Sequence, residues 1–268
     1  MGKGRPFLEV FASALRENYR FPILEIFAFL YAFGTFIFAG LGVLGTVAQT
    51  SEIYAHGLVN SLTGMPLFIF VILILVNIAY GLGNDIERGV VQTLLSYPLK
   101  RRSILSAKLL SALGIAILLF LGMQMLALFV LAPDIILSYF STVLLSYLAN
   151  LSPALLIAGI VLLLALVLKR GSVALVIGIV LYFGLSIIGS LVPFLAYTGF
   201  DITKAYAVIA PNMALDRYYS GVGLPFDYIG RWWIPSFSEV LFYLGAAYVL
   251  VAVIFLLGYV YFEWRLGI

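Results

Sequence analysis

Six long apolar runs, separated by short polar or charged stretches, constrain this chain more than anything else in it. They fall near 22–49, 64–84, 104–131, 140–168, 172–197 and 239–262. Each reaches the roughly 20 helical residues needed to cross a hydrocarbon core of about 30 Å. The runs are continuous, whereas barrel strands would alternate over short segments. With 64% hydrophobic and only 10% charged residues in 268, against about 25% charged in an ordinary soluble domain, no interior is large enough to hide the apolar surface from water. The expected class is therefore all-α integral membrane: six transmembrane helices in a single domain over 1–268.

The charges give an orientation. Twelve of the fifteen Lys and Arg residues lie in the N-terminal arm, the second-to-third and fourth-to-fifth connections and the C-terminus. The other connections hold only Lys204, Arg217 and Arg231. Acidic residues divide evenly, so by the positive-inside rule both termini are expected in the cytoplasm. The net charge of +3 is then a topology signal and not a nucleic-acid footprint. Cysteine is absent and His56 is the only histidine. Disulfides and thiol chemistry are thereby excluded, and no metal site is expected.

Residues 6–20 read as an amphipathic helix lying in the headgroup plane. Phe7, Leu8, Val10, Phe11, Ala14 and Leu15 share one face, with Glu9, Ser13, Arg16, Glu17 and Arg20 opposite. Its charges break any continuous apolar core, so a retained arm is predicted in place of a cleavable signal. Pro22 separates it from the first span. A long outer link, 198–238, joins the fifth and sixth spans; its tyrosines and tryptophans suit an interfacial belt. Part of this link is suited to dip back beside protein.

Several motifs fail their context. Gly40-Leu41-Gly42-Val43-Leu44-Gly45 matches a dinucleotide fingerprint but lies inside an apolar helix with no preceding strand. Gly81-Leu82-Gly83-Asn84-Asp85 resembles an intramembrane aspartyl-protease motif, with an extra residue before the aspartate and no second buried aspartate. Asn150-Leu151-Ser152 is a glycosylation sequon placed within a span. There is no P-loop, and no metalloprotease or serine-hydrolase motif, so the chain is not expected to be an enzyme. Polar residues inside spans carry a free-energy cost and invite a functional reading. Asn77, Gln124 and Asn150 could line a pathway or join helix to helix, while Glu25 suits pairing with Arg20 near the inner interface.

The polar interruption at 85–103 is the strongest signal. From Glu87 to Ser96 the pattern predicts a short cytoplasmic helix with an acidic start. Val90, Val91, Leu94 and Leu95 form its apolar face, and Pro98 ends it. Lys100, Arg101 and Arg102 follow at headgroup level. This stretch resembles the permease subunits of ABC-2 type ATP-binding-cassette transporters. Glu87, Gly89, Leu94, Leu95, Pro98, Arg101, Arg102 and Lys108 match their pattern in order and spacing, with Val90 where threonine is usual. The likeness in sequence covers about 25 residues, while the order of arm, six spans and long outer link agrees along the whole chain.

The resemblance implies a half-size exporter subunit that pairs with a second permease half, identical or related, and with cytoplasmic ABC ATPase subunits. ATP and Mg would sit on the partner ATPase, with no cofactor in this chain. The helix near 87–96 would be the coupling helix, with Val90, Val91, Leu94 and Leu95 as its anchor. Glu87, Arg88 and Arg101 would give rim charges. A prokaryotic cell membrane is the expected location. The competing reading is a membrane anchor or assembly factor that recruits a cytoplasmic partner through the same helix and moves no substrate.

Overall fold

The computed structural model describes residues 5–19, 23–44, 51–91, 93, 100–198, 200, 202–222 and 233–264, and every regular element among them is helical. Five helices are long and apolar enough to cross a membrane: Glu52–Glu87, Arg101–Leu131, Phe140–Leu168, Gly171–Ala196 and Phe237–Trp264. The first expected span is also helical, α2 (Ile23–Leu44), but its apolar stretch among the described residues is the shorter Leu24–Ile37. Ahead of it lies α1 (Arg5–Asn18).

The second expected span begins twelve residues before the predicted 64. Helix α3 (Glu52–Ile78) starts at Ser51, whose Oγ accepts from the Tyr54 amide at 3.2 Å. That bond satisfies one of the orphan donors at a helix start, and Glu52 in the first turn complements the dipole. The helix continues through a π-helical turn, Ala79–Gly83, into α4 (Asn84–Glu87). The result is one rod of 36 residues. Arg88 and Gly89 end it, Gly89 at φ 73°, a backbone region open to glycine without a Cβ clash.

Helices α5 (Arg101–Leu131) and α7 (Phe140–Leu168) follow, joined by the short α6 (Pro133–Ser138). Then come α8 (Gly171–Tyr197), α9 (Thr203–Ala207), α10 (Asn212–Val222) and α11 (Phe237–Trp264). The rod and α7 form the centre of the bundle, with 67% and 61% of their most apolar windows buried, against 11% for α8. Along α8, Val176, Val180, Phe183, Ile187, Leu191 and Phe194 are all exposed. Their spacing of three and four residues makes one apolar stripe on a helix.

Helix α1 packs against α5. Its expected apolar face divides: Ala14 is buried and Phe7, Val10 and Phe11 are half-buried, whereas Leu8 and Leu15 are exposed. In the link 198–238, α9 and α10 pack on the ends of α3, α7, α8 and α11. Ala149, Ala207, Ala214, Leu215, Tyr219 and Val240 make a small second core there. The side chain of Lys204 lies 5.6 Å over the Trp233 ring, a cation–π contact.

Candidate functional site: two polar nodes at the ends of one rod

His56 and Asp85 lie 29 residues apart on the same rod, roughly 44 Å at 1.5 Å per residue. That is about the thickness of a bilayer with its headgroups, 40–45 Å. A polar node is built at each of these positions, and the segment between them is apolar with few exceptions.

The node at the α4 end centres on Lys108, which is 8% exposed. Its ammonium donates to Glu17 Oε2 at 3.1 Å, to the Gly81 carbonyl at 3.3 Å and to Asp85 Oδ2. Three donors meet three acceptors, from α1, the π turn and α4. A buried cation so placed is held by charge-assisted bonds on every side. Beside it Asn18 Nδ2 donates to Ser111 Oγ at 2.9 Å, a second tie between α1 and α5. A small cavity bordered by Glu17, Asn18, Asn77, Gly81 and Lys108 lies at this junction.

The π turn is gripped from the other side by the start of α8. A Cβ built on Gly171 would fall 2.2 Å from the Ala79 carbonyl oxygen, and one on Gly83 would fall 2.5 Å from Gly171 Cα. The chain reaches this position through Lys169 at φ 55°, which closes α7 with a left-handed residue. At the same end Arg102 Nε donates to Glu263 Oε1 at 2.7 Å, and Tyr259 Oη donates to the Arg102 carbonyl at 3.1 Å. The base of segment 88–100 is therefore surrounded by fixed contacts to α1, α5, α8 and α11.

The predicted coupling residues fall on both sides of that joint. Glu87 and Arg88 are exposed at the end of the rod. The expected unbroken helix over 87–96 is instead interrupted at Arg88–Gly89, with helical turns resuming at Val90. The acidic start that signalled a new helix is the tail of the preceding one. Val90 points outward at 41% exposure, whereas Val91 is 1% exposed and belongs to the chain's own core. Of the expected anchor, Val91 thus serves the fold. Leu94, Leu95 and Pro98 lie outside the described residues. Arg101 donates to the Glu263 carbonyl at 3.5 Å.

The three polar residues weighed as pathway lining are all buried and hydrogen-bonded. Asn77 donates to the Ala112 carbonyl at 3.4 Å. Gln124 donates to Thr35 Oγ1 at 3.0 Å and to the Leu62 carbonyl at 3.1 Å, and accepts from Tyr147 Oη at 3.1 Å. Leu62 is four residues before Pro66 in α3, and proline has no N–H to give that carbonyl. Gln124 therefore replaces the bond that Pro66 removes. Ser152 does the same within α7, donating at 3.2 Å to the Ala149 carbonyl that Pro153 leaves free. Gln124→Leu is expected to lower stability by about 1–3 kcal/mol, the desolvation penalty of the orphaned groups, as a fall in melting temperature of the detergent-purified chain. Glu25 accepts from Tyr19 Oη at 2.6 Å; its expected partner Arg20 lies outside the described residues.

The second node lies at the opposite end of the rod. His56 Nδ1 meets Ser146 Oγ at 2.8 Å, and His56 Nε2 meets Asp216 Oδ1 at 2.8 Å. Asn60 Nδ2 donates to the same Asp216 oxygen at 2.7 Å, and Asn150 Nδ2 donates to Asn60 Oδ1 at 2.9 Å. Tyr219 stacks on the imidazole with ring centroids 4.8 Å apart, and its Oη donates to Thr142 Oγ1 at 3.3 Å. Burial, its largest cause, pushes the Tyr219 phenol above its ordinary range, which keeps the hydroxyl a donor.

Serine, histidine and aspartate in a row have the composition of a nucleophilic triad. Ser146 is completely buried, however, and its Oγ donates to the Thr142 carbonyl one turn back at 2.7 Å. Its hydroxyl is tied into its own helix, so this arrangement joins α3, α7 and α10 instead of presenting a nucleophile. Sequence reasoning missed the set. Its trace was two pairs at helical spacing, His56 with Asn60 and Ser146 with Asn150, each putting polar groups on one face of an apolar helix.

Taken with the fold, these nodes define an all-helical protein of multi-pass membrane type, with apolar walls between two polar ends. No protein-family model and no curated protein matches the chain.

Proposed function

We propose that the chain is the permease subunit of an ABC-2 type transporter, an exporter worked by a separate cytoplasmic ATPase. On this reading it has six spans, α2 completing the set, with both termini inside a prokaryotic cell membrane. Helix α1 lies at the inner headgroups, and a second permease half completes the pathway. The motif from Glu87 to Lys108 names the partner. The observation that carries the reading is the joint at the base of that segment. There Lys108, a residue of the same motif, ties the rod's end to α1 and α5, while Gly171 ties the adjoining π turn to α8. A push delivered at Glu87 and Arg88, the exposed end of the rod, would reach four helices through these contacts.

π-Helical turns inside α-helices lie frequently at functional positions. Here the turn would let the rod's end tilt against its apolar body as ATP binding closes the partner. Val90 would enter the ATPase cleft together with Leu94 and Leu95, while Glu87 and Arg88 set the register at the rim.

The test is recruitment. When the chain is co-expressed with the ATPase encoded beside it, Val90→Asp and Leu94→Asp are each expected to cut co-purified ATPase at least tenfold. Val90 is exposed, so insertion and yield of Val90→Asp should match the unmodified chain. Undiminished recruitment by both variants would remove segment 85–103 as the docking element. Recruitment of a partner without nucleotide hydrolysis would favour the anchor reading.

A further inference from the structure

We infer that the cavity between α1, the π turn and α5 is a binding site for one water molecule, which bridges the Asn18 side chain to the rod. Asn18 is 7% exposed, and its Nδ2 donates to Ser111 Oγ at 2.9 Å. Its Oδ1 is buried against Gly81, 3.4 Å from where a Cβ on that glycine would stand. No donor among the described residues reaches that oxygen. Turning the amide over would exchange the two atoms and bring the nitrogen to Gly81 instead. In either orientation one buried polar atom of Asn18 faces the cavity border without a protein partner, a costly arrangement that buried water relieves.

Size, polarity and charge select the occupant. The cavity has a volume of about 10 Å³, close to the space that one water needs. Its polar border extends beyond Asn18 to Asn77 on the rod, which is buried. The Asn77 amide spends one of its hydrogen-bonding positions on the Ala112 carbonyl at 3.4 Å, and an amide has four. A molecule in the cavity therefore finds polar partners on both α1 and the rod. The charges at the border exclude an ion. The Lys108 ammonium repels a cation, while Glu17, with Asp85 on the same ammonium, repels an anion. A small neutral molecule that both donates and accepts meets all of these conditions, and it serves the Asn18 amide in either orientation.

Ile78 and Leu82 border the same cavity, whereas Ile74 and Leu75, about one turn earlier on the rod, lie outside it; all four are buried. A brief X-ray pulse on the full chain in nanodiscs converts water to hydroxyl radicals where it sits, and these oxidise the nearest side chains. Mass spectrometry is expected to find Ile78 and Leu82 oxidised roughly tenfold more than Ile74 and Leu75, because only the first pair borders a site able to hold water. Ala112 also lines the cavity, and Ala112→Val adds bulk there, so in that variant Ile78 and Leu82 should fall to the level of the other pair. The contrast within the native chain decides the matter if the variant does not fold. Native Ile78 and Leu82 no more oxidised than Ile74 and Leu75, or oxidation that persists in a folded Ala112→Val chain, would overturn the water site.

Discussion

Gly171→Ala is expected to destabilise the bundle by about 3 kcal/mol, at the upper end of the range for overpacking a close contact. The added methyl would sit 2.2 Å from the Ala79 carbonyl oxygen, an atom of the π-turn backbone. A flexible side chain could swing aside; a backbone carbonyl moves only if the turn moves. Relief would require α8 to withdraw from the rod or the π turn to rearrange. Either change would also disturb the neighbouring Gly81 carbonyl, which accepts from Lys108. Gly184→Ala, on the same helix, is the internal control. Nothing lies within 4 Å of its built Cβ, and alanine is the better helix former, so stability should hold or rise slightly. Thermal unfolding in one detergent, followed by tryptophan fluorescence, compares the two. A Gly171→Ala melting temperature equal to that of Gly184→Ala would mean that α8 does not grip the turn.

Lys108→Met is expected to lower stability by about 3–5 kcal/mol, the usual result of removing one partner from a buried ion pair. The penalty falls mainly on Asp85, whose side chain is 12% exposed; Glu17, at 37% exposed, can turn toward water. The Lys108→Met/Asp85→Asn double variant removes the uncompensated charge and should recover at least half of the loss. A melting curve for each member of the cycle measures the coupling directly. If the double variant is no more stable than Lys108→Met alone, the node is not an ion-paired joint. The expected loss exceeds that for Gln124→Leu because a stranded charge is harder to rehydrate than a stranded amide partner.

Much of this architecture was legible from residues alone because a membrane helix needs only a continuous apolar run. The runs at 104–131, 140–168 and 172–197 sit almost wholly within α5, α7 and α8. The early start of α3 was not legible. Between Glu52 and Thr63 polar and apolar residues are mixed, so hydropathy fades there, and the Ser51 cap carries the start instead. The π turn left no periodicity to read. Gly81 and Gly83 were visible only as part of a protease-like motif that failed, yet the missing side chain of Gly83 lets Gly171 approach, and the Gly81 carbonyl accepts from Lys108.

The two nodes were hidden for a different reason. Lys108 and Glu17 are 91 residues apart, and His56 and Asp216 are 160 apart. No local pattern pairs such groups; packing brings them together. Asn77, Gln124 and Asn150 stood out in the sequence as polar residues inside apolar runs. Sequence left their use open, and their bonds place them between helices. Residues 87–96 were read as one helix because Glu87 looked like a start, whereas Gly89 at positive φ splits the end of one rod from the beginning of the next turn.

ATP hydrolysis by the complete complex tests the central reading most directly. The chain would be co-expressed with the neighbouring ATPase, purified as a complex, and reconstituted into nanodiscs with and without Val90→Asp. The transporter reading expects a stable complex whose turnover exceeds that of the isolated ATPase, with the excess abolished by Val90→Asp and the permease still correctly inserted. Co-purification of no ATPase, or turnover unaffected by both the permease and the substitution, would contradict it.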